Sequence, residues 1–389
     1  MTSITELVDR YGRFRSNVLN LQASENYICP HVRMALGSDL GSRYAHIMPD
    51  GNNAYGGTSL TDEIYKETQD SIKKLYNSRF AEVRPIGGHV AAEIALLISV
   101  KRGGKIMAID ENHGGYTGYM KGYLPEMFGF SSGTIPYIQE KQEIDYERLE
   151  KEALTYRPDA IVLGQSFFLK PYDLKRIREL CDRIGSKLLY DGSHVMGLIA
   201  GKKFQNDALK YSDILFGSTH KSFFGPQGGI LLTNQEELFH QAEFNTVWRT
   251  MDNYHPNRVA ALGIAAQDLM AFGEDYASKI VNNSKGLGKA LEERGIPVQF
   301  QPWYSESHQI LLSPKINERY GSFLEISRKL EKNGIICDRE GRIGLSEATR
   351  RGFNDMDRIA SAISEAIKGK DMRSEITDIM RGAGLRYCK

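Results

Sequence analysis

Cysteine is scarce, with four in 389 residues at positions 29, 181, 337 and 388, and no two stand at the spacing of a metal knuckle or a C-x-x-C redox pair. Neither a metal knuckle nor a redox pair is expected, and a reducing compartment fits best. Long apolar runs are missing too: nothing approaches 18 consecutive apolar residues, and the opening MTSITELVDRYGRFRSN has no apolar core of a leader. The expectation is a soluble, cytoplasmic protein with no membrane partner. Charge of one sign is absent, since 50 Lys and Arg face 49 Asp and Glu, so no net field holds a polyanion. Nucleic acid is not an expected partner. With 12 Pro scattered along the chain and neither repeats nor low-complexity tracts, solenoid, collagenous and disordered architectures fall away.

What is present is ordinary globular composition, 41% hydrophobic and 25% charged, at a length that one small core does not organise. Residues 1–53 read as an arm, helical at first and then irregular, running into the Gly/Asn/Pro-rich stretch Pro49 to Gly57. From about Thr61 a polar helix (DEIYKETQDSIKKLY) and an apolar one (VAAEIALLISV) precede short apolar runs at KIMAID, AIVLG, KLLYDG, DILFG and GGILLT, with helix-like stretches between them. This alternation predicts an α/β fold, a mostly parallel sheet flanked by helices, over residues 54–270. A buried helix is expected around Val259 to Phe272. Residues 271–389 then read as a smaller α+β domain, with strands at PVQF, HQILLS, GIICD and GRIGLS, a helix near Phe323 to Asn333 and a final helix at Met356 to Ile367.

In open parallel sheets ligands sit beyond the carboxyl ends of the strands, so the residues just after each apolar run carry the functional information. Lys221, in Ser218-Thr219-His220-Lys221, follows DILFG; a lysine held there can be desolvated into a Schiff-base nucleophile, or it can be a solvated loop residue. Asp191 ends KLLYD, where a carboxylate can hold a proton on a ring nitrogen, as pyridoxal phosphate requires, or can cap the next helix. Gly88 and His89 open an apolar helix, a place suited to a phosphate or to a plain turn. His113, after KIMAID, has the shape to stack on a pyridine ring. Arg342 stands on a late strand, where its fork can grip a carboxylate or lie on an exposed edge.

Taken together and in order, these residues resemble the serine hydroxymethyltransferase family, pyridoxal-phosphate enzymes of the aspartate-aminotransferase fold type I. Leu21-Gln22-Ala23-Ser24-Glu25-Asn26 looks like the family's L-x-A-S-E-N arm, and Arg43-Tyr44-Ala45 with Tyr55-Gly56-Gly57 like its K-Y-A and Y-G-G loop. His113-Gly114-Gly115, Asp191 to His194, Thr219-His220-Lys221 with Gly225-Pro226, and Arg342 with Thr349-Arg350-Arg351-Gly352 complete the match. The resemblance implies a seven-stranded large domain and a small C-terminal domain. It implies that Lys221 carries the cofactor as an internal aldimine, Asp191 pairs with the pyridine nitrogen, His113 stacks on the ring and Arg342 holds the substrate carboxylate. Ser166 and His194 are expected near the cofactor's 3-oxygen, Gly88, His89, Ser218 and His220 near its phosphate, and Ser24, Tyr55 and His194 near the substrate. Tyr44 and Tyr55 are expected to reach a neighbouring subunit's site, making a homodimer with shared active sites; pairing of dimers into tetramers stays open.

Four departures bear on activity. The family glutamate after Tyr-Ala is His46, the tyrosine before Tyr-Gly-Gly that contacts folate is Ala54, the arginine after Gly-Pro is Gln227, and no Q-G-G-P segment is recognisable in Arg249 to Pro256. They weigh against tetrahydrofolate. The expected reaction makes or breaks the Cα–Cβ bond of a β-hydroxy amino acid, with serine, threonine, glycine or an α-substituted relative as the amino acid, an aldehyde as partner and His46 as base: a folate-independent aldolase or transaldolase. The alternatives are a folate-dependent hydroxymethyltransferase, and an aminotransferase, racemase or decarboxylase on the same fold.

Overall fold

The computed structural model describes residues 2–48 and 51–389; Pro49 and Asp50, which begin the Gly/Asn/Pro-rich run, lie outside the described residues. Two compact units divide the chain, one of Ile28–Ala277 with Lys389 and the other of Met1–Tyr27 with Ser278–Cys388. The divisions read from the sequence stood at 53/54 and 270/271.

The larger unit is built on seven strands: β1 (Phe80–Glu82), β2 (Lys105–Ile109), β3 (Ser131–Ile135), β4 (Ala160–Leu163), β5 (Lys187–Asp191), β6 (Ile214–Ser218) and β7 (Gly229–Thr233). Their order across the sheet is β1-β7-β6-β5-β4-β2-β3. All neighbours are parallel except β7, which runs antiparallel to both β1 and β6. The five apolar runs became β2, β4, β5, β6 and β7. The two edge strands, β1 and β3, escaped notice because FAE is short and SSGTI is polar; an edge strand has one pairing side and need not read as an apolar run.

Helix α1 (Ser59–Tyr76) and helix α2 (Gly88–Ser99) are the polar and apolar helices expected. Ala91, Ile94, Ala95 and Leu96 of α2 are fully buried in one cluster with Ile106, Val162, Leu189, Phe216 and Leu231 of the sheet. Each of the larger side chains among them, the Ile, Leu, Val and Phe, contributes roughly 1.5–3 kcal/mol when withdrawn from water. The alanines let α2 approach closely, which fixes its first turn near the end of β6. Among the described residues, no helix is long and apolar enough to cross a membrane.

The helix expected around 259–272 is far longer, Pro256–Glu292 (α3), since no proline or cap interrupts it. In the smaller unit, strand β8 (Gln309–Leu311) pairs antiparallel with β9 (Arg342–Gly344), and Ile335–Ile336 pairs in parallel with Leu19–Asn20 of the N-terminal segment. PVQF is not a strand; it forms an isolated bridge from Val298 to Leu312, with Pro297 lacking a ladder donor and Phe300 at φ +63°. The helix Met356–Ile367 is as expected but is not the last, because Arg373–Arg381 follows and buries Ile376, Ile379 and Met380.

Candidate active site

Four adjacent parallel strands, β6, β5, β4 and β2, end side by side, and each releases a residue singled out in the sequence. After β6, the Lys221 Nζ donates to Ser218 Oγ at 2.8 Å. The loop that carries it closes on itself: Thr219 N donates to Gly228 O, Gly225 N to Thr219 O, and Thr219 Oγ1 to Pro226 O. Lys221 is therefore a partnered, half-buried amine and not a solvated surface lysine.

After β5, Asp191 Oδ2 accepts from the Tyr119 hydroxyl at 2.7 Å and Oδ1 from Ser193 N at 2.9 Å. It caps no helix, since the following helix Met196–Ala200 has Val195 at its cap position without a side-chain bond. Ser193 in turn accepts from Ser218 N through its hydroxyl, tying the Asp191 turn to the lysine strand. His194 is buried beside them.

After β2, the His113 ring lies against Tyr137 with centroids 5.5 Å apart and planes 28° from parallel, and its Nδ1 is 3.2 Å from Gln139 Oε1. Gln165, after β4, donates to His113 O, and Ser166 N donates to Gly114 O. The β2 and β4 turns are thus laced together, which fixes the imidazole plane and brings Ser166 to the same edge of the sheet.

At the start of α2 no side chain caps the helix. A Cβ on Gly88 would stand 2.8 Å from Ser218 Cβ, so glycine is what lets the helix start lie against the end of β6. The His89 side chain is exposed, with Nδ1 2.8 Å from the Tyr116 hydroxyl and Nε2 3.5 Å from Glu93. Only its backbone joins the helix start. Tyr116 packs edge-on against Tyr119, at 5.2 Å, so these two tyrosines link His89 to Asp191. No motif flagged them, because the fold and not their spacing brings them to the carboxylate. His220 has a buried Nδ1 without a partner, and burial, with the Lys221 charge, lowers its pKa to about 4, so the ring is neutral near pH 7.

The segment around Tyr44 to Tyr55 forms a separate cluster. Tyr44 and Tyr55 rings are 5.3 Å apart and both are about half exposed. The Tyr44 hydroxyl donates to Asp252 at 3.2 Å. His46 packs on Trp248 at 4.7 Å, and its Nδ1 is buried without a partner. Burial and the Arg84 charge lower the His46 pKa against the opposing pull of Asp252.

In the smaller unit, Gly344 N donates to Leu21 O, and a Cβ on Gly344 would stand 2.3 Å from Ala23 Cα. Leu21 and Ala23 thus lie against the end of β9. Arg342 is buried on a paired strand, not on an open edge, and its Nε donates to Asp338 Oδ2 at 2.6 Å. Arg350, fully buried, donates to Tyr27 O and Tyr387 O, a structural use the motif alone did not disclose.

A sheet in this order with a lysine beyond β6 and a carboxylate beyond β5 defines a pyridoxal-phosphate-dependent enzyme of fold type I. The residues fit that cofactor: an uncapped helix start, a glycine contact that a Cβ would fill, a buried unpartnered His220 nitrogen, and an amine and a carboxylate each fixed by neighbours. The family model described as serine hydroxymethyltransferase matches residues 2–363. Serine hydroxymethyltransferase of Methanobrevibacter smithii is 35% identical over 395 residues, covering 96% of this chain and 92% of that protein. The enzyme of the same name from Methanothermobacter thermautotrophicus is 35% identical over 396 residues, covering 97% and 92%. Among solved structures, that of L-threonine transaldolase from Pseudomonas fluorescens in its internal aldimine state superposes with a TM-score of 0.90 at 25% identity, covering 99% of this chain and 92% of that one. The chain belongs to the serine hydroxymethyltransferase family.

Proposed function

We propose that the protein makes or breaks the Cα–Cβ bond of a β-hydroxy amino acid without folate, as an aldolase or transaldolase. The observation that carries this reading is the imidazole at position 46, packed on Trp248, with a buried unpartnered nitrogen and a pKa held below the ordinary value. A neutral imidazole is competent to take a proton from a β-hydroxyl. Ala54, where folate would meet a tyrosine, and the threonine transaldolase of similar fold support it.

When bound, pyridoxal phosphate supplies an electron sink for the pair left on Cα as the Cα–Cβ bond opens. Lys221 is the amine that would hold the cofactor. Asp191, steadied by Tyr119 and Ser193, keeps the proton on the ring nitrogen. His113 covers a ring face, while the helix start at Gly88 and His89, with Ser218 and His220, receives the phosphate. Ser166 and His194 lie toward the 3-oxygen. Arg342 would grip the substrate carboxylate, and Ser24 would help to orient the amino acid. His46 moves the hydroxyl proton, and Tyr44 and Tyr55 complete the site of a second copy, so the working unit is a homodimer.

The test is aldehyde release from L-serine and L-threonine by the holoenzyme, followed by coupled NADH oxidation with and without tetrahydrofolate. Release without folate is expected. Serine-to-glycine conversion that requires tetrahydrofolate, with no aldehyde otherwise, would select the folate-dependent reading that the 35% identical relatives' names favour. Carbon dioxide release or amino transfer to the cofactor would select decarboxylation or transamination.

A further inference from the structure

Behind the lysine loop lies a buried cation that the chemistry above does not use. Arg258, two residues into α3, is 5% exposed. Its Nη2 donates to Val83 O at 2.8 Å and Arg84 O at 2.9 Å, while Nε and Nη1 are buried without partners. Nη1 lies 2.6 Å from where a Cβ on Gly228 would stand, and Thr219 Oγ1 lies 3.1 Å from the same point.

Both chain segments that Arg258 touches border the expected phosphate position. Arg84 leads directly into Pro85-Ile86-Gly87-Gly88; Gly229 N donates to Pro85 O, Thr219 N to Gly228 O, and Gly88 lies against Ser218. The guanidinium thus backs the ring of backbone at the start of α2 and the end of β6.

No carboxylate is bonded to it among the described residues. Glu82 is engaged by Arg84, whose Nε donates to its Oε1 at 2.8 Å in a buried ion pair, and Glu243 also faces Arg84. The Arg258 Nε and Nη1 are left without a hydrogen-bond partner of their own, and the nearby Tyr254 hydroxyl is buried without one too. Burial lowers the Arg258 pKa to about 10, against the pull of Glu82 and Tyr254, which leaves it charged at neutral pH. A desolvated, unpaired cation is costly and calls for an anion. The other basic side chains expected near the phosphate supply no cation there: His220 is neutral, and His89 is turned to Tyr116 and Glu93. Position 227, where the family carries an arginine, is glutamine, and Arg258 brings its Nη1 against the next residue. The charge has changed element but not neighbourhood.

We propose that Arg258 is the positioning cation of the cofactor's phosphate, acting by its charge across Gly228 and by holding the Val83–Arg84 carbonyls that lead into the helix start. This rests on the pyridoxal-phosphate reading, which the test checks separately through pyridoxal, the same aldehyde without phosphate.

The full-length protein is stripped of cofactor and titrated with pyridoxal phosphate and with pyridoxal, following absorbance and tryptophan fluorescence. In Arg258→Met, affinity for pyridoxal phosphate is expected to fall about tenfold or more, while affinity for pyridoxal is unchanged. Adding Gln227→Arg to that variant is expected to recover most of the loss. Inorganic phosphate should raise the Tm of the stripped wild type and not that of Arg258→Met. Equal losses for both ligands, or no loss, would overturn the proposal in favour of a purely structural arginine; failure of both ligands to bind the wild type would instead overturn the cofactor reading. Should Arg258→Met not fold, Arg258→Lys and Arg258→Gln decide the matter, the lysine keeping the preference for the phosphorylated ligand and the glutamine losing it.

Discussion

His46 replaces a carboxylate by a group that titrates close to neutrality, and its surroundings decide in which direction. Burial and Arg84 disfavour the imidazolium, so the neutral base survives to lower pH than an exposed histidine with its ordinary value of 6.5. The acid limb of kcat for aldehyde release should therefore have its midpoint below 6.5, and His46→Gln should lower kcat and remove that limb. An unchanged limb in the variant would take the base role from His46. Arg342 makes a second case. Its Nε already serves Asp338, so the guanidinium is oriented before substrate arrives. Arg342→Lys should keep the fold and the cofactor absorbance yet raise KM for the amino acid about tenfold or more, because a lysine has no planar fork; an unaltered KM would remove Arg342 from the substrate. The placement of Lys221, Asp191, His113 and Arg342 was legible in the sequence because each occupies a strand or stands within a few residues of its end. Tyr119 and Arg258 were not, since they reach Asp191 and Gly228 across 72 and 30 positions of chain, and no local pattern encodes such a meeting.

At the scale of elements, the first turn of α2 against the end of β6 is the contact on which the proposed phosphate binding would rest. A methyl group at Gly88 would meet the Ser218 Cβ at 2.8 Å and its backbone nitrogen at 3.0 Å, and a strand backbone in the middle of a sheet has nowhere to retreat. Gly88→Ala should cost about 1–3 kcal/mol of stability and weaken cofactor binding, as read by thermal denaturation and by absorbance titration of the stripped protein. A variant with wild-type cofactor affinity would show that the helix start does not hold the phosphate. The elements themselves were largely readable. The five inner strands carry uninterrupted apolar runs because helices cover both faces, while Phe80–Glu82 and Ser131–Ile135 are edge strands whose composition resembles that of loops. PVQF misled because an apolar flavour over four residues says nothing about whether a proline can join a ladder.

For the molecule as a whole, the surface near Tyr44 and Tyr55 is unusual. Tyr44, Tyr55, Phe244 and Trp248 are 49%, 46%, 66% and 69% exposed, and the Trp248 backbone adopts φ +68°, a conformation bulky residues rarely take. Large exposed aromatics of this kind mark contact surfaces. Sedimentation equilibrium should find a homodimer, and the double variant Phe244→Glu/Trp248→Glu should shift it toward monomer; a variant that stays dimeric at the same concentrations would place the contact elsewhere. One further consequence follows from the single reversed strand of the large sheet. Because β7 runs back along β6, the ten-residue excursion between Thr219 and Gly228 leaves and re-enters the same rigid framework, and its ends are fastened to each other. The Lys221 stem is mounted like a lever on a clamped hinge pin: the freedom left to the amine is rotation about its own side-chain bonds, because the backbone beneath it is tied at both ends.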